Sequence, residues 1–540
     1  MENAHNIPSD SSLTSAEIIA NLQKKLQEKD AHLKEKDIEI QSLYERLQLA
    51  LQRHFGKRSE QLTDEDIKQL SLFDEDSNAS VDELAAIAEN EEDVTVDVPA
   101  HSRKASNKAK GFPAHLPRED VIHDLEEDDK QCHCGQPLKC IGEEVTEQVH
   151  IVPMQIKVIR HCVKKYACSQ FDEHGVIRAK KPASILGKSR GTAGSVAHVA
   201  VMKYQYHLPL YRQEMMFKQL GIQLPRKTLC QWLIKASEGL DNFFSAFQEH
   251  LPRCHYVQAD ETPMKMLRPP GVDKAGETKN IKQGYLWVYR GIIDNNVIVV
   301  TQAHWSRASE HPIEQLKGFG GILQSDGYVA YDVVARTNQS IDQVSCLAHI
   351  RRKFYELTKL AKKNKTGKSY QALSFIQKLY RADHLAKEQG ATAEKRLALR
   401  EQHNFKDTLE KFQAWCDKSL NQVPPKSGIG HALAYAAKYL PRLRLCITHG
   451  EVELDNNLTE NLIRPIALGR KNFLFLGSEA GMKSASLFYS LIQTCKANHM
   501  NAYEYLSYLM TNVTRQHIKQ ELNQLMPFHP EMVEKFQLQK

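Results

Sequence analysis

The stretch from His255 to Leu347 constrains the fold most. His255–Asp260, Tyr285–Ile293 and Val297–Thr301 are apolar runs rich in β-branched and aromatic residues, joined by short connections, and read as three consecutive strands. A helix over Glu310–Gly318 follows, then a strand over Gly321–Ser325. Another strand, Gln343–Leu347, leads into a basic helix, His349–Leu357. Residues 355–445 are almost entirely helical and are broken at Val423-Pro424-Pro425. Residues 452–470 read as a further helix, and 481–540 as a helical tail.

Three strands, a helix, a strand, a helix and a strand predict an α/β core of ribonuclease-H type with a helical insertion. In such a core, carboxylates at strand ends and on a late helix can converge. Asp260 stands at the end of the first strand and Asp326 at the end of the fourth. Two close carboxylates repel unless a cation lies between them. Mg²⁺ takes oxygen ligands and suits such a pair, and two ions roughly 3.5–4 Å apart can activate an attacking oxygen and stabilise a leaving one. A third acid is expected in Asp455-Asn456-Asn457-Leu458-Thr459-Glu460-Asn461-Leu462-Ile463-Arg464. There Asp455 is a plausible N-cap, Leu458 and Leu462 mark a buried stripe, and Asn456, Glu460 and Arg464 share another face. Glu460 then completes the site while Arg464 meets a phosphate. The bland alternative is a surface Glu–Arg pair.

The rest of the chain supplies a basic body and accessory pieces. Residues 61–100 hold 13 Asp and Glu against one Lys, so the remainder of a chain of net charge +6 carries +18. Such a balance suggests a polyanionic partner, nucleic acid first. Residues 15–54 lack Gly and Pro and carry heptads, Ile19, Leu26, Leu33, Ile40 and Leu47 at one seam position, Leu22, Leu43 and Ala50 at the other, with Lys29 and Lys36 interrupting. That pattern predicts a self-associating coiled coil over 15–58. Residues 59–112 read as an acidic, then basic, linker. Residues 113–190 hold Val-rich runs, Glu147–Val152 and Ile156–Val163, and suggest a small β module. Over 191–250 a helix at Gly194–Tyr204 precedes Pro209–Leu220, a turn at Gly221, and a basic helix opening Pro225-Arg226-Lys227, which is helix-turn-helix grammar. No apolar window reaches membrane-spanning length, Met1–Asp10 does not read as a secretory signal, and eleven scattered cysteines fit a reducing cytoplasm.

Longer words carry a resemblance. Asp260-Glu261-Thr262-Pro263, Ser325-Asp326-Gly327-Tyr328, Cys346-Leu347-Ala348-His349-Ile350-Arg351-Arg352-Lys353-Phe354 and Asp455–Asn461 resemble the motifs of DDE transposases of the insertion-sequence 66 family. Matching words extend from Phe55–Glu60 and Tyr204–Arg212 to Gly469–Asn472 and Phe475–Gly481, so the likeness spans nearly the whole chain in order. The resemblance implies a ribonuclease-H-like catalytic domain over 251–480, with an insertion at about 355–445 before the last acid. The 134-residue gap from Asp326 to Glu460 accommodates it. It implies Asp260, Asp326 and Glu460 as a triad binding two Mg²⁺ ions, with Mn²⁺ able to substitute. It further implies cleavage of phosphodiesters at transposon ends and transfer of the freed 3′-hydroxyl to target DNA. Glu261 and Asp332 are nearby competitors off the motif positions.

Double-stranded DNA is then the expected partner, met at the nucleoid by a cytoplasmic homo-oligomer working with accessory proteins of the same element. Arg226 and Lys227, His349, Arg351, Arg352 and Lys353, and Arg470 and Lys471 are candidate DNA contacts beside Arg464. Their alternative is a solvated basic face. The resemblance also implies a zinc-binding module at Cys132, Cys134 and Cys168. The spacing departs from paired Cys-x-x-Cys, because Cys132-His133-Cys134 has one intervening residue and Phe171 replaces a ligand. Structural zinc takes four ligands. Cys140, His161, Cys162 and His174 are substitutes that no spacing singles out, and a module that lost its ion stays open. Cys230, Cys254, Cys346, Cys416, Cys446 and Cys495 read as buried apolar residues. Other classes are a silent DNA-binding descendant and a scaffold for RNA or acidic protein. A cysteine hydrolase is disfavoured because Cys346 and His349 lack a visible orienting carboxylate.

Overall fold

The computed structural model describes residues 21–33, 36–37, 39–40, 43–44, 47, 156–167, 176–179, 185–187, 189–267, 281–359, 367–389, 392–513 and 517–538. The chain divides into two compact units, Glu91–Lys180 and the remainder.

In the smaller unit, β1 (Lys165–Ala167) pairs antiparallel with β2 (Val176–Arg178), Lys165 opposite Arg178. The expected strand at Glu147–Val152 lies outside the described residues. Among the described residues Ile156–Val163 has no strand partner, Val158 is 83% exposed, and the ladder starts two residues later. A Val-rich run favours extended backbone but does not choose the partner that makes it a strand.

In the larger unit, Asn21–Leu33 is helical, and its heptad leucines Leu22, Leu26 and Leu33 are exposed, as are Ile40, Leu43 and Leu47 further on. Helix α1 (Ala193–Tyr204) is capped by the Thr192 hydroxyl, which accepts from the Ser195 N–H. Helix α2 (Leu210–Gln219) ends at Gly221, whose φ of +81° suits glycine. Helix α3 (Arg226–Gly239) buries Leu229, Trp232, Leu233 and Ala236, and its first turn leaves Arg226 and Lys227 in solvent. Cys230 is exposed rather than buried. It lies about 100° round the helix from Leu229, at the margin of the buried stripe, so its place on the helix, not its own apolarity, sets its exposure. Helix α4 (Asp241–Gln248) follows.

The main sheet has five strands, β3 (Tyr256–Leu267), β4 (Ile281–Ile293), β5 (Asn296–His304), β6 (Ile322–Ser325) and β7 (Asp342–Ser345), in the order β5-β4-β3-β6-β7. β3, β4 and β5 are antiparallel neighbours, while β6 and β7 run parallel to β3. β3 continues seven residues past Asp260, since Thr262, Met264 and Met266 keep the period-two burial while β4 keeps pairing. Helices α5 (Glu310–Gln315) and α6 (Val329–Thr337) make the connections, and α7 (Leu347–Thr358) leaves β7.

The insertion comprises α8 (Lys368–Gln389), α9 (Ala393–Gln402), α10 (Phe405–Leu420) and α11 (Gly428–Tyr439). Their core of Leu373, Ile376, Leu379, Leu409, Phe412 and Leu433 is continuous with Leu347, Ile350 and Phe354 of α7. Short α12 (Leu445–Thr448) precedes α13 (Asn457–Phe473), which starts later than the expected 452. Its N-cap is Asn456 rather than Asp455, and its buried stripe is Thr459, Leu462, Ile466 and Gly469, leaving Leu458 40% exposed.

Helix α14 (Glu479–Ala497) covers the free edge of β5. The Ala303, Thr301, Val299 and Val297 N–H groups donate to Ser486, Ser490, Thr494 and Asn498 at 3.0, 2.8, 3.0 and 2.8 Å. Four helical residues rise about 6 Å and two strand residues about 6.8 Å, so the two periods nearly match. Helices α15 (Ala502–Asn512), α16 (Lys519–Asn523) and α17 (Pro530–Lys535) close the chain. Among the described residues, no helix is long and apolar enough to cross a membrane.

Candidate active site

Parallel pairing sets the first two acids side by side. Gln258 lies in register with Gln324, and Asp260 and Asp326 each follow two residues later. Gly327 turns the chain after Asp326 with a φ of +86°, and a Cβ there would meet the Tyr439 ring at 3.0 Å. Tyr435 and Tyr439 of the insertion donate to the Asp326 and Gly327 carbonyls, each at 3.1 Å.

A buried polar floor brings in the third acid. Gln258 Nε2 donates to Gln324 Oε1 at 2.8 Å and to the Asp455 carbonyl at 3.2 Å. Gln324 Nε2 donates to the Glu453 carbonyl at 2.8 Å, and Asn456 Nδ2 to the Ala259 carbonyl at 3.1 Å. The Tyr256 hydroxyl donates to Gln324 Oε1 and accepts the Glu453 N–H. These bonds seat the start of α13 over β3 and β6, and Glu460 lies in its first turn. Behind them, buried Arg400 holds buried Asp383 and donates to the Cys446, His449 and Val452 carbonyls. Lys387 joins Asp383 to Glu453. Asp455 accepts from Tyr380 at 3.1 Å and from the Asn457 N–H at 3.1 Å.

Burial raises the Asp260 carboxyl well above the usual carboxylate range, and Asp326, Glu261 and Glu460 push it further. Glu261 is committed elsewhere: its carboxylate pairs with Arg307 and accepts from the Tyr331 hydroxyl at 2.8 Å. Asp332 accepts from Arg442 at 2.8 Å. Each competitor thus has a cation of its own, whereas the groups acting most strongly on Asp260 are further carboxylates.

The basic candidates separate. His349 Nδ1 lies 4.0 Å from Glu460 Oε1, and burial lowers its pKa despite Glu460 and Asp326. Among the described residues, the group of three whose ligand atoms all lie within 4.8 Å of one another is Cys346, His349 and Glu460. The carboxylate that the Cys346–His349 pair lacks in sequence therefore comes from α13, although burial pushes the Cys346 thiol up to about 12. Arg470 is not free: it donates to the Thr262 hydroxyl at 2.7 Å and the Pro263 carbonyl at 2.6 Å, tying α13 to β3. Arg351 lies over the Tyr355 ring and Lys353 over Tyr435. Arg351 and Arg352 are half-buried, and Lys353, Arg464 and Lys471 are exposed. Cys132, Cys134 and Cys168 lie outside the described residues.

Sequence reasoning missed Gln258, Gln324, Arg400 and Arg307, and it read Asn456 only as sharing a face with Glu460 and Arg464, not as the bond to the Ala259 carbonyl. One signal was legible, the repeated Gln-x-Asp of Gln258-Ala259-Asp260 and Gln324-Ser325-Asp326.

The model of the Transposase IS66 family matches residues 188–484, more than half of the chain. The chain belongs to the IS66 transposase family. Further IS66-type models match around it, "Transposase C of IS166 homeodomain" at 42–121, "zinc-finger binding domain of transposase IS66" at 129–170 and "IS66 C-terminal element" at 490–528. Two uncharacterized proteins of Sinorhizobium fredii are similar. The protein y4qI is 30% identical over 91% of this chain and 89% of its own length, and y4jD is 31% identical over 76% and 80%. Membership of the IS66 family implies DNA as a partner and use of a divalent metal. The donor set fits such an ion, because a half-buried carboxylate pressed by other carboxylates is stabilised by an oxygen-preferring cation.

Proposed function

We propose that this chain binds the terminal inverted repeats of an insertion sequence, cleaves DNA there and transfers the freed end to a target. The observation that carries the reading is Asp260, a half-buried carboxyl acted on by Asp326 and Glu460, in a domain of the IS66 family. The strand order, antiparallel on one side of β3 and parallel on the other, supports a ribonuclease-H-like catalytic domain over 251–480.

In this reading Asp260, Asp326 and Glu460 hold Mg²⁺, with Mn²⁺ able to replace it. When bound, the ions supply activation of the attacking oxygen and stabilisation of the leaving oxygen. The floor of Gln258, Gln324 and Asn456 keeps the carboxylates in place and water out from beneath them. Arg307, paired with Glu261 and lying 3.7 Å from the Tyr328 ring centroid, is a preset cation with 41% of its side chain exposed to meet a phosphodiester. Lys353, Arg464 and Lys471 take the DNA backbone. Arg226 and Lys227 open a recognition helix, and the cysteine module, holding Zn²⁺, adds a second end contact. The N-terminal helix pairs protomers so that two ends are held together, and accessory proteins of the same element act with them.

The test is Mg²⁺-dependent nicking of a labelled duplex carrying the repeat that flanks the gene. Repeat-specific nicking, lost in Asp326→Asn with repeat binding retained, is expected. Nicking that persists in that variant would sink the assignment.

A further inference from the structure

Glu460 stands between two different donor sets. Toward the sheet it acts on Asp260. Toward α7 it joins Cys346 and His349, so one sulfur, one imidazole nitrogen and one carboxylate oxygen lie within 4.8 Å of one another. Cys346 is buried, and its Sγ accepts the Asn456 N–H at 3.3 Å, so a donor already faces the sulfur as a thiolate requires. Among the described residues, His349 Nδ1 is a buried nitrogen with no hydrogen-bond partner. An orphaned buried nitrogen is costly and rare, and this one lies 4.0 Å from Glu460 Oε1.

We propose that Cys346, His349 and Glu460 form a second metal site, selective for a thiophilic divalent transition ion such as Zn²⁺, and that its occupation withdraws Glu460 from Asp260 and Asp326. Three mixed ligands and one open position are a common zinc arrangement. Tetrahedral bonds of the usual length set ligand atoms roughly 3.3–3.7 Å apart, and the half-buried Glu460 side chain supplies the adjustment. Softness separates the two sites, since thiolate and imidazole favour zinc while Mg²⁺ seeks oxygen. On binding, the Cys346 S–H bond breaks, its proton passes to the buffer and a sulfur–metal bond forms, with no change of oxidation state. Zinc bound through Glu460 draws that carboxylate toward α7 and competes with Mg²⁺ for it, so zinc acts as a brake. The binding claim stands on this geometry alone, and the brake rests on the proposed function.

The experiment uses the full chain, stripped of metal and dialysed against Zn²⁺, with bound zinc counted per chain by elemental analysis. Wild type is compared with Cys346→Ser, His349→Ala and, as a buried-cysteine control, Cys416→Ser. Each site variant is expected to bind one zinc fewer than wild type and the control, whatever the cysteine module holds in all four. Equal stoichiometry in wild type and folded His349→Ala overturns the site, and that variant decides alone if Cys346→Ser does not fold. In the second arm Zn²⁺ is titrated into Mg²⁺-dependent nicking. The half-inhibiting concentration, taken against each variant's own uninhibited rate, is expected to rise at least tenfold in Cys346→Ser, and an unchanged value overturns the brake. A chain that binds the extra zinc but never nicks DNA keeps the site while overturning the brake and the proposed function together.

Discussion

Burial and neighbouring carboxylates raise the Asp260 pKa in the folded chain, so the fold retains a proton that the unfolded chain releases near pH 4. Stability of the metal-free protein therefore falls as pH rises above about 4, and it levels off only above the folded pKa. Asp260→Asn removes that penalty. Melting in chelator is expected to show the variant above wild type at neutral pH, with the gap closing toward about pH 4; a gap independent of pH would contradict the assignment. Arg400 makes the converse case. Both it and Asp383 are buried, and Arg400→Ala leaves a buried acid short of its main partner. A loss of about 3 kcal/mol is expected from denaturant unfolding, and a loss under about 1 kcal/mol would show that Lys387 and Arg396, 2.8 and 3.7 Å from Asp383, suffice.

At the scale of elements, the seam between α14 and β5 replaces strand pairing with hydroxyls and one amide. Such a cover satisfies the edge and blocks pairing with another chain. Ser490 is buried there and accepts from the Thr301 N–H. Ser490→Ala strands that N–H, and chemical denaturation is expected to register a loss of about 1–3 kcal/mol. Ser478 caps the same helix by accepting from the Gly481 N–H. Ser478→Ala is expected to cost about 1 kcal/mol, and if it proves the more damaging of the two, the edge seam is not what holds α14.

At the scale of the whole molecule, the heptad leucines have solvent on the seam where a coiled coil needs a partner. Leu22, Leu26 and Leu33 are each 60% exposed or more in the single chain. Light scattering is expected to give a mass above one chain for the wild type, and a single-chain mass for Leu26→Asp combined with Leu33→Asp. Equal masses would remove the pairing role from this segment. The insertion also acts at this scale. Its Tyr435 and Tyr439 hold the turn after Asp326, and its Tyr380 and Arg400 hold the segment before Glu460, so it braces two of the three acids.

The sequence by itself determined the alternation of strands and helices, the helical insertion and the family, because periodicity and motif words are local. It also put Asp260, Asp326 and Glu460 forward, though only their neighbours tell such acids from ordinary turn and surface residues. Tertiary structure decided what each residue faces. The period-four run Ser486, Ser490, Thr494 and Asn498 was visible in sequence, but its partner lies near 190 residues away on β5. Arg470 and Lys471 look alike in the chain, yet only Arg470 reaches β3. Cys346 read as a buried apolar residue, and it is buried, but folding sets it beside His349 and Glu460. Hydrogen bonds and charge interactions depend on distance in space, and long-range pairings supply those distances only once the sheet has formed.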